Sequence, residues 1–327
     1  MERSRRASKK AERSPPELRI GARGSPLALA QAEMFAQRLR AMAGERIRYT
    51  VRPYTTTGDK ILDRPLQDAG GKGLFTKELD RAQKAGEIDI AVHSLKDMTV
   101  SLPRHLFLAA YLPREDPRDC LIGPYRSIQE LPKGAVVGSS SLRRRSQLLA
   151  LRPDLKVVMF RGNVQTRLRK LAEGEAQATL LAAAGLRRLG MIDAAGAILP
   201  IEELLPAGGQ GIIGVTLHVD APDWLKAACA ATDDREARLA AVAERAFLRR
   251  LDGSCRTPIA AHFRLTPEGA EMWGEVLADD GSRKWRAEGA LARYPSERDA
   301  QELGLFLAED VASHRAADLG TEIPERK

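Results

Sequence analysis

The feature that most constrains the fold is an alternation of short apolar strands with amphipathic helices, which occurs twice along the chain. Each block is predicted to contain three strands, at residues 18–22, 47–53, 88–93, 136–138, 156–160 and 178–182. Residues that can cap the intervening helices stand at Ser25, at 139–141 and at Asn163. Strands that alternate with helices form parallel sheets with helical crossovers, so the sequence predicts two α/β domains.

The pattern changes after about Arg235. A long alanine-rich helix is predicted up to Leu251, and the loop that follows it carries Cys255. Three strands and a final helix complete this region, which predicts a small α+β domain, at 259–265, 270–278, 283–291 and 296–315. A further strand at 212–219 is assigned to the first sheet. The predicted boundaries are therefore 17–113 with 212–230 for domain 1, 117–208 for domain 2 and 235–327 for domain 3.

The first sixteen residues form a basic segment that holds six lysines and arginines, two acidic residues and thus a net charge of +4. That is half of the formal charge of +8 on the 327-residue chain. The composition predicts a disordered, solvated tail. A nucleic-acid arm is the alternative, but neither zinc-finger spacing nor interleaved aromatic residues support it. No apolar run is long enough to span a membrane, and none follows the basic residues as in a secretory signal.

The chain has three cysteines, and their odd number indicates a reducing compartment, which predicts a cytoplasmic protein. None has a CxxC partner, so no metal site is expected. Cys120 and Cys229 lie in apolar or alanine-rich stretches and are predicted to be core residues. Cys255 follows Gly253-Ser254 and precedes Arg256, a cationic setting that favours a thiolate. From the residues alone, an inert loop cysteine and a reactive thiol both remain open.

A polar cluster, His93-Ser94-Leu95-Lys96-Asp97, stands at the carboxyl end of a predicted strand. Ligands of open α/β sheets bind at that edge, which makes the cluster a candidate site. The alternative is a polar loop in which Asp97 caps a turn, and position alone does not separate the two.

Arginines recur at the turns between strands and helices. Arg143 and Arg144 follow three serines, and such a helix start binds anions through its free N–H groups and its dipole. Arg161 with Arg167, Arg188, and Arg23 stand at three further turns of this kind. Guanidinium groups match carboxylates and phosphates alike. A single arginine usually belongs to a solvated helix face, but recurrence at one predicted sheet edge favours an anion-binding cleft.

At these residues the chain resembles the porphobilinogen deaminase family. The similarity extends from about Arg19 to Arg264 and rests on long segments in order: RIGARGSPLALAQ (19–31), GGKGLF (70–75), AVHSLKD (91–97), GSSSLRR (138–144), RGNVQTR (161–167), AGLRRLG (184–190), LPAGGQG (205–211) and GSCRTP (253–258). The resemblance implies an α/β fold of two periplasmic-binding-protein-like domains with a central cleft. A third, small α+β domain carries the cofactor cysteine.

The resemblance also implies an activity. Members of the family are transferases of tetrapyrrole (haem-type) biosynthesis that condense four porphobilinogen units head to tail with loss of ammonia. They then release the linear tetrapyrrole hydroxymethylbilane by hydrolysis. Their cofactor is a dipyrromethane held as a thioether, which implies attachment at Cys255. The substrate is a small molecule, and the resemblance implies neither a nucleic-acid nor a membrane partner; the chain is expected to be a monomer.

The roles of individual residues follow from the same resemblance. Asp97 matches the catalytic aspartate, with Lys96 beside it. The residues expected to bind cofactor and substrate are Arg23, Asp59, Lys72, Ser94, Arg143, Arg144, Arg161, Arg167 and Arg188.

Two departures from the family pattern stand close to these residues. Asp68 occupies a position where the family carries a lysine, and Gly-Ser-Cys replaces the common Gly-Gly-Cys. The competing interpretation of the whole sequence is a non-catalytic anion-binding module of the periplasmic-binding-protein type. That module explains the arginines and the two α/β domains, but not Cys255 on an added domain.

Overall fold

The computed structural model describes residues 17–44, 47–61, 73–251 and 257–321. The predictions for the tail 1–16, Asp68, Lys72 and Cys255 therefore lie outside the described residues. The described part of the chain forms three sheets, each with its own helices, and we call the three units the first, second and third lobes.

The first lobe is built on a five-stranded sheet with the strand order β2-β1-β3-β10-β4. Its elements are β1 (Glu17–Arg23), α1 (Pro26–Ala43), β2 (Arg48–Tyr54), α2 (Thr57–Lys60), α3 (Lys77–Lys84), β3 (Ile90–Ser94), β4 (Leu106–Tyr111), β10 (Ile213–His218) and α7 (Asp223–Ala230). Helix α1 begins as predicted, because the Ser25 side chain accepts the Ala28 N–H and Pro26 stands in the first turn. Its apolar face buries Phe35 and Leu39 against the sheet.

The second lobe repeats this arrangement with the order β7-β6-β8-β5-β9. Its elements are β5 (Asp119–Ile122), β6 (Val136–Gly138), α4 (Leu142–Leu151), β7 (Lys156–Val158), α5 (Val164–Ala172), β8 (Ala178–Ala182), α6 (Ala183–Arg188) and β9 (Ala197–Ile198). The side chains of Ser141 and Asn163 cap α4 and α5 by accepting the N–H groups of Arg144 and Thr166. Both predicted caps are confirmed.

The sheets are mixed rather than parallel throughout, which corrects the prediction of purely parallel sheets. Four strands of each sheet run in the same direction and one runs against them: β10 is antiparallel to β3 and β4, and β5 is antiparallel to β8 and β9. These two strands follow crossings between the lobes instead of a local helix, so the alternation of strands and helices does not determine their direction. The fold class of two periplasmic-binding-protein-like α/β units with a small third unit is confirmed.

The third lobe is a three-stranded antiparallel sheet covered by two long helices. Its elements are α8 (Arg235–Arg250), β11 (Ile259–Thr266), β12 (Gly269–Leu277), β13 (Lys284–Ala292) and α9 (Glu297–Leu319). Phe247 of α8 lies so close to Gly274 of β12 that a Cβ there would be 2.2 Å from the ring. The helix can approach the sheet this closely only because residue 274 has no side chain.

The core of the third lobe continues into the first lobe. Leu95, Met98 and Ile212 pack in the same buried cluster as Phe247 and Phe263. The segment that carries Lys96 and Asp97 therefore packs on the core of the third lobe. None of the helices in the described ranges is long and apolar enough to cross a membrane.

Candidate functional site

The polar residues predicted from sequence gather where the carboxyl ends of β1 and β3 face the helix starts of the second lobe. Asp97 ends a short 3-10 turn, Leu95–Asp97, that directly follows β3. One Asp97 oxygen lies 3.6 Å from Arg23 Nη1, and about a third of the aspartate side chain is exposed. Asp97 is therefore reachable from the cleft and paired with a cation of the neighbouring strand.

Arg23 is held from two directions. Its guanidinium forms a salt bridge with Asp59 and lies 4.2 Å from the centre of the Phe75 ring. Asp59 in turn accepts hydrogen bonds from the Thr56 backbone and hydroxyl, at 3.1 and 2.7 Å. Burial alone would raise the pKa of Asp59, but the hydrogen bonds from Arg23 and Thr56 lower it below its ordinary value. Asp59 is thus a fixed anion that orients Arg23.

Ser94 and His93 line a small cavity together with Arg23 and Asp97. The Ser94 hydroxyl donates to Gln31 Oε1 at 3.0 Å, which leaves its lone pairs toward other donors. His93 is buried, and burial together with Arg23 lowers its pKa to about 4. Its ring is therefore neutral at physiological pH and adds no charge to the cavity.

Lys96 contacts the segment between the second lobe and β10: its Nζ donates to Gln210 Oε1 at 3.2 Å. Burial, with Arg144 nearby, lowers the pKa of Lys96 to about 8. This lysine can exchange a proton at Nζ near neutral pH, which an ordinary exposed lysine cannot.

Arg143 and Arg144 are both almost fully buried, each only 5% exposed. They are adjacent on α4, so their side chains leave the helix about 100° apart. Both reach the same internal carboxylate, and they bind the two oxygens of Asp119 at 2.8 and 2.6 Å. Backbone carbonyls accept a further hydrogen bond from each guanidinium, Leu205 from Arg143 and Leu180 from Arg144.

Asp119 is a site residue that sequence reasoning missed. It begins β5, is fully buried, and also accepts a hydrogen bond from Gln210 Nε2 at 2.8 Å. Burial would raise the pKa of Asp119, but Arg143 and Arg144 lower it well below its usual range. The only sequence signal was an acidic residue at the head of an apolar run, which does not reveal partners more than twenty positions away.

The other three predicted arginines also face the cleft. Arg161 donates to the Gly58 carbonyl of the first lobe at 3.1 Å, Arg167 to Gly162 at 3.0 Å, and Arg188 to Gly211 at 2.6 Å. Burial, with Arg144 and Arg161 nearby, lowers the pKa of Arg167 to about 10, and burial lowers that of Arg188 to about 10. Within the described ranges, no carboxylate lies at salt-bridge distance from Arg167 or Arg188. The cleft therefore holds partly buried positive charge in excess, which suits an acidic ligand.

Two of the three cysteines lie in the core, as the sequence predicts. Cys120 and Cys229 are fully buried core residues, and burial raises their pKa to about 11 and about 12. Such thiols are poor nucleophiles at neutral pH. Cys255 remains the candidate attachment point and lies outside the described residues. Among the residues that are described, no group of three or more metal-ligating side chains occurs.

The first two lobes enclose an arginine-rich cleft, and the third lobe packs beneath Asp97. This arrangement defines an enzyme-like scaffold for polycarboxylate ligands. The sequence identifies it further. Residues 18–226 match the family model described as the porphobilinogen deaminase, dipyromethane cofactor binding domain, and residues 238–313 match the C-terminal domain of porphobilinogen deaminase. The chain belongs to the porphobilinogen deaminase family; it is a transferase, and dipyrromethane is its cofactor.

Curated relatives are similar in sequence to most of this chain. A porphobilinogen deaminase of Paracoccus denitrificans is 52% identical over 306 residues, which are 92% of this chain and 95% of that protein. A chloroplastic porphobilinogen deaminase of Oryza sativa subsp. japonica is 51% identical over 270 residues, 81% of this chain and 75% of that protein. The periplasmic VFT2 domain of Bordetella pertussis BvgS superposes with a TM-score of 0.39 at 14% identity, covering 66% of this chain and 86% of that domain. The curated relatives do not favour the non-catalytic module.

Proposed function

We propose that this chain joins four porphobilinogen units head to tail, loses one ammonia at each condensation and releases hydroxymethylbilane by hydrolysis, with Asp97 as the catalytic carboxylate. The observation that carries this proposal is the placement of Asp97, beside Arg23 in a cleft otherwise rich in partly buried cations. The family membership supplies the reaction, and the geometry supports the roles.

The residues fit a dipyrromethane. Each of its rings bears two carboxylates, and Arg167 and Arg188 offer partly buried guanidinium groups that, within the described ranges, donate only to a backbone carbonyl. Bound through Cys255, the group supplies the pyrrole carbon to which the chain is extended. We assign Arg23, Arg161, Arg167 and Arg188 to carboxylate binding.

Loss of ammonia from an aminomethylpyrrole leaves a delocalised positive charge on the substrate ring. A fixed carboxylate in a cleft that excludes water stabilises such charge strongly, and Asp97 can also accept the pyrrole N–H groups. Arg23 limits the movement of Asp97, and Asp59 limits that of Arg23. Lys96, with its pKa of about 8, is assigned to holding or releasing a proton at Nζ.

Arg143 and Arg144 have a more specific proposed role. Because both already bind Asp119, they meet a ligand carboxylate only in competition with this internal anion or through their remaining N–H groups. We assign them to cofactor assembly, in which the arginine pair organises the cleft. Ser94 and Lys72 are assigned to ligand contacts on the family pattern; Lys72 lies outside the described residues.

The proposal includes the division into domains 17–113 with 212–230, 117–208 and 235–327, a monomeric state and a cytoplasmic location. The two free buried thiols, Cys120 and Cys229, support a reducing compartment. Size-exclusion chromatography coupled to light scattering tests the monomer.

The intact mass of the purified protein tests the proposal directly. The active chain should exceed its sequence mass by one dipyrromethane, and peptide mapping should place the adduct on Cys255. Cys255→Ala should give unmodified, inactive protein, while Cys120→Ala should keep the added mass. An active preparation of unmodified mass would contradict the proposal.

A further inference from the structure

Helix α4 presents a second polar residue one turn after Arg143, on the side that faces the third lobe. Gln147 is only 3% exposed. Its Oε1 accepts a hydrogen bond from Arg143 Nη1 at 3.1 Å. Its Nε2 donates to Glu275 Oε1 at 2.9 Å and to the Leu205 carbonyl at 3.1 Å. The amide thus joins the arginine pair of the second lobe to a carboxylate of the third.

Glu275 lies in β12 and is only 1% exposed. Its second oxygen accepts a hydrogen bond from Arg286 Nε of β13 at 2.8 Å. A buried carboxylate is strongly unfavourable unless each oxygen has a donor. Since Glu275 can only accept, the amide nitrogen of Gln147 must face it. The amide oxygen is then turned toward Arg143, and its orientation is determined by the third lobe.

The same face of α4 is packed tightly against the third lobe. The Ser146 hydroxyl donates to the Asp279 carbonyl at 3.0 Å. Gly281 has a φ of +74°, and a Cβ at this residue would lie 2.6 Å from the Ser146 carbonyl. The turn between β12 and β13 therefore rests directly on the helix backbone, and the amide of Gln147 has little room for another position.

The hydrogen bonds continue beyond Arg143. Arg143 binds Asp119, Gln210 donates to Asp119, and Lys96 donates to Gln210. A connected series of polar groups thus extends from the third lobe to the residue next to Asp97, and its members in order are Arg286, Glu275, Gln147, Arg143, Asp119, Gln210 and Lys96.

We propose that Glu275, acting through Gln147, is a positioning residue that orients Arg143, so that the lobe carrying the cofactor attachment point also sets the geometry of the arginine pair. The inference rests on the proposed role of Arg143 in cofactor assembly and ligand binding. Glu275 and Gln147 are almost fully buried, so neither is open to substrate or cofactor. Their effect reaches the reaction only through the guanidinium that they hold.

The first variant is Gln147→Leu, which keeps the volume of the side chain but breaks the link between Arg143 and Glu275. Ser146→Ala is the matched control, because it removes a hydrogen bond at the same interface and on the same helix without touching the series. Two quantities are measured for each protein: the rate at which cofactor-free chain gains the dipyrromethane mass on addition of porphobilinogen, and KM and kcat of the loaded enzyme.

Gln147→Leu should slow the gain of cofactor mass and raise KM, each by about tenfold, the scale of one hydrogen bond to a charged group. The value of kcat should change much less, because Asp97 is untouched. Ser146→Ala should leave both quantities within about twofold of wild type. Equal behaviour of the two variants would overturn the inference and leave Gln147 as a packing residue.

Exchanging the amide and the carboxylate between positions 147 and 275 gives a second test, which remains informative if Gln147→Leu folds poorly. Gln147→Glu alone places two carboxylates in contact and should impair cofactor loading. Adding Glu275→Gln restores a donor between the two side chains and keeps an acceptor for both Arg143 and Arg286. The Leu205 carbonyl loses its donor from residue 147 but keeps the hydrogen bond from Arg143, so the double variant should recover most of the loading rate and of KM. Recovery of thermal stability without recovery of KM would refute a positioning role.

Wild-type protein in the same assays distinguishes a failure of the proposed function from a failure of the positioning role of Glu275. If it neither gains the dipyrromethane mass nor consumes porphobilinogen, the proposed function fails. If wild type behaves as proposed and Gln147→Leu equals Ser146→Ala, only the inference fails.

Discussion

Asp119 is the residue whose replacement tests the electrostatics of the cleft most directly. Asp119→Asn keeps the shape of the side chain and its hydrogen bond from Gln210, but removes the one charge that both buried arginines contact. Removing one partner of a buried ion pair costs about 3–5 kcal/mol, because the other charge is left without compensation. The loss should be concentrated in the second lobe, where α4 and β8 surround the pair.

Amide hydrogen exchange measured by mass spectrometry is the suitable assay, because it reports local opening in a chain of several lobes. At about 1.4 kcal/mol per factor of ten, the predicted loss corresponds to exchange in α4 and β8 that is faster by roughly two to three and a half orders of magnitude. Asp154→Asn is the matched control. Asp154 binds Arg152 with similar geometry but is partly exposed, so water replaces the lost contact and exchange should change far less.

The stabilisation that Asp119 provides depends on pH with a definite sign. The two arginines hold the pKa of Asp119 below its ordinary value of 3.8, although burial opposes them. Its stabilisation is therefore complete above that value and is lost as the pH falls through the lowered pKa. Wild type and Asp119→Asn should converge only in strong acid. Equal exchange at pH 7, or convergence near pH 5, would refute the reasoning.

Further predictions concern the reaction and the tail. Asp97→Asn should lower single-turnover elongation by about a hundredfold or more, and Asp97→Glu should retain more activity; a near-wild-type rate for Asp97→Asn would show that Asp97 merely caps a turn. Arg188→Leu should still carry the dipyrromethane by intact mass but elongate poorly, since its guanidinium has no carboxylate at salt-bridge distance among the described residues; normal elongation would exclude it from ligand binding. Turnover should fall as the pH rises past about 8, where Lys96 loses its proton, and Lys96→Arg should flatten that limb between pH 6 and 10. Deleting residues 1–16 should leave turnover and the melting temperature unchanged, because the segment lacks apolar periodicity; a large loss of either would show that it docks on the core.

Local signals in the sequence were the reliable ones. The caps Ser25, Ser141 and Asn163 act within four residues, so the starts of α1, α4 and α5 follow from the sequence. The strand β5 was not predicted because it is only four residues long and begins with Asp119 directly after Arg118. The direction of β10 was also missed, since it depends on a chain path through another lobe.

In the candidate site, too, local signals were predictive and contacts between distant segments were not. Placing Arg23 and Asp97 at neighbouring strand ends required only strand order, and the structure brings them together. The partner of Arg143 could not be found in this way, because Asp119 reaches it through a sheet register that residue types do not encode. The Gln147 contact with Glu275 depends further on how two lobes pack.

The position of β10 between β3 and β4 governs the order in which a nascent chain can fold. β4 pairs only with β10 in the described sheet, so it leaves the ribosome long before its partner exists. The second lobe has all of its strands once β9 has been synthesised, and it can close first. During translation the first lobe therefore cannot complete its sheet until β10 has been synthesised. Until β10 inserts, the edge of β3 stays open to mispairing or to chaperones.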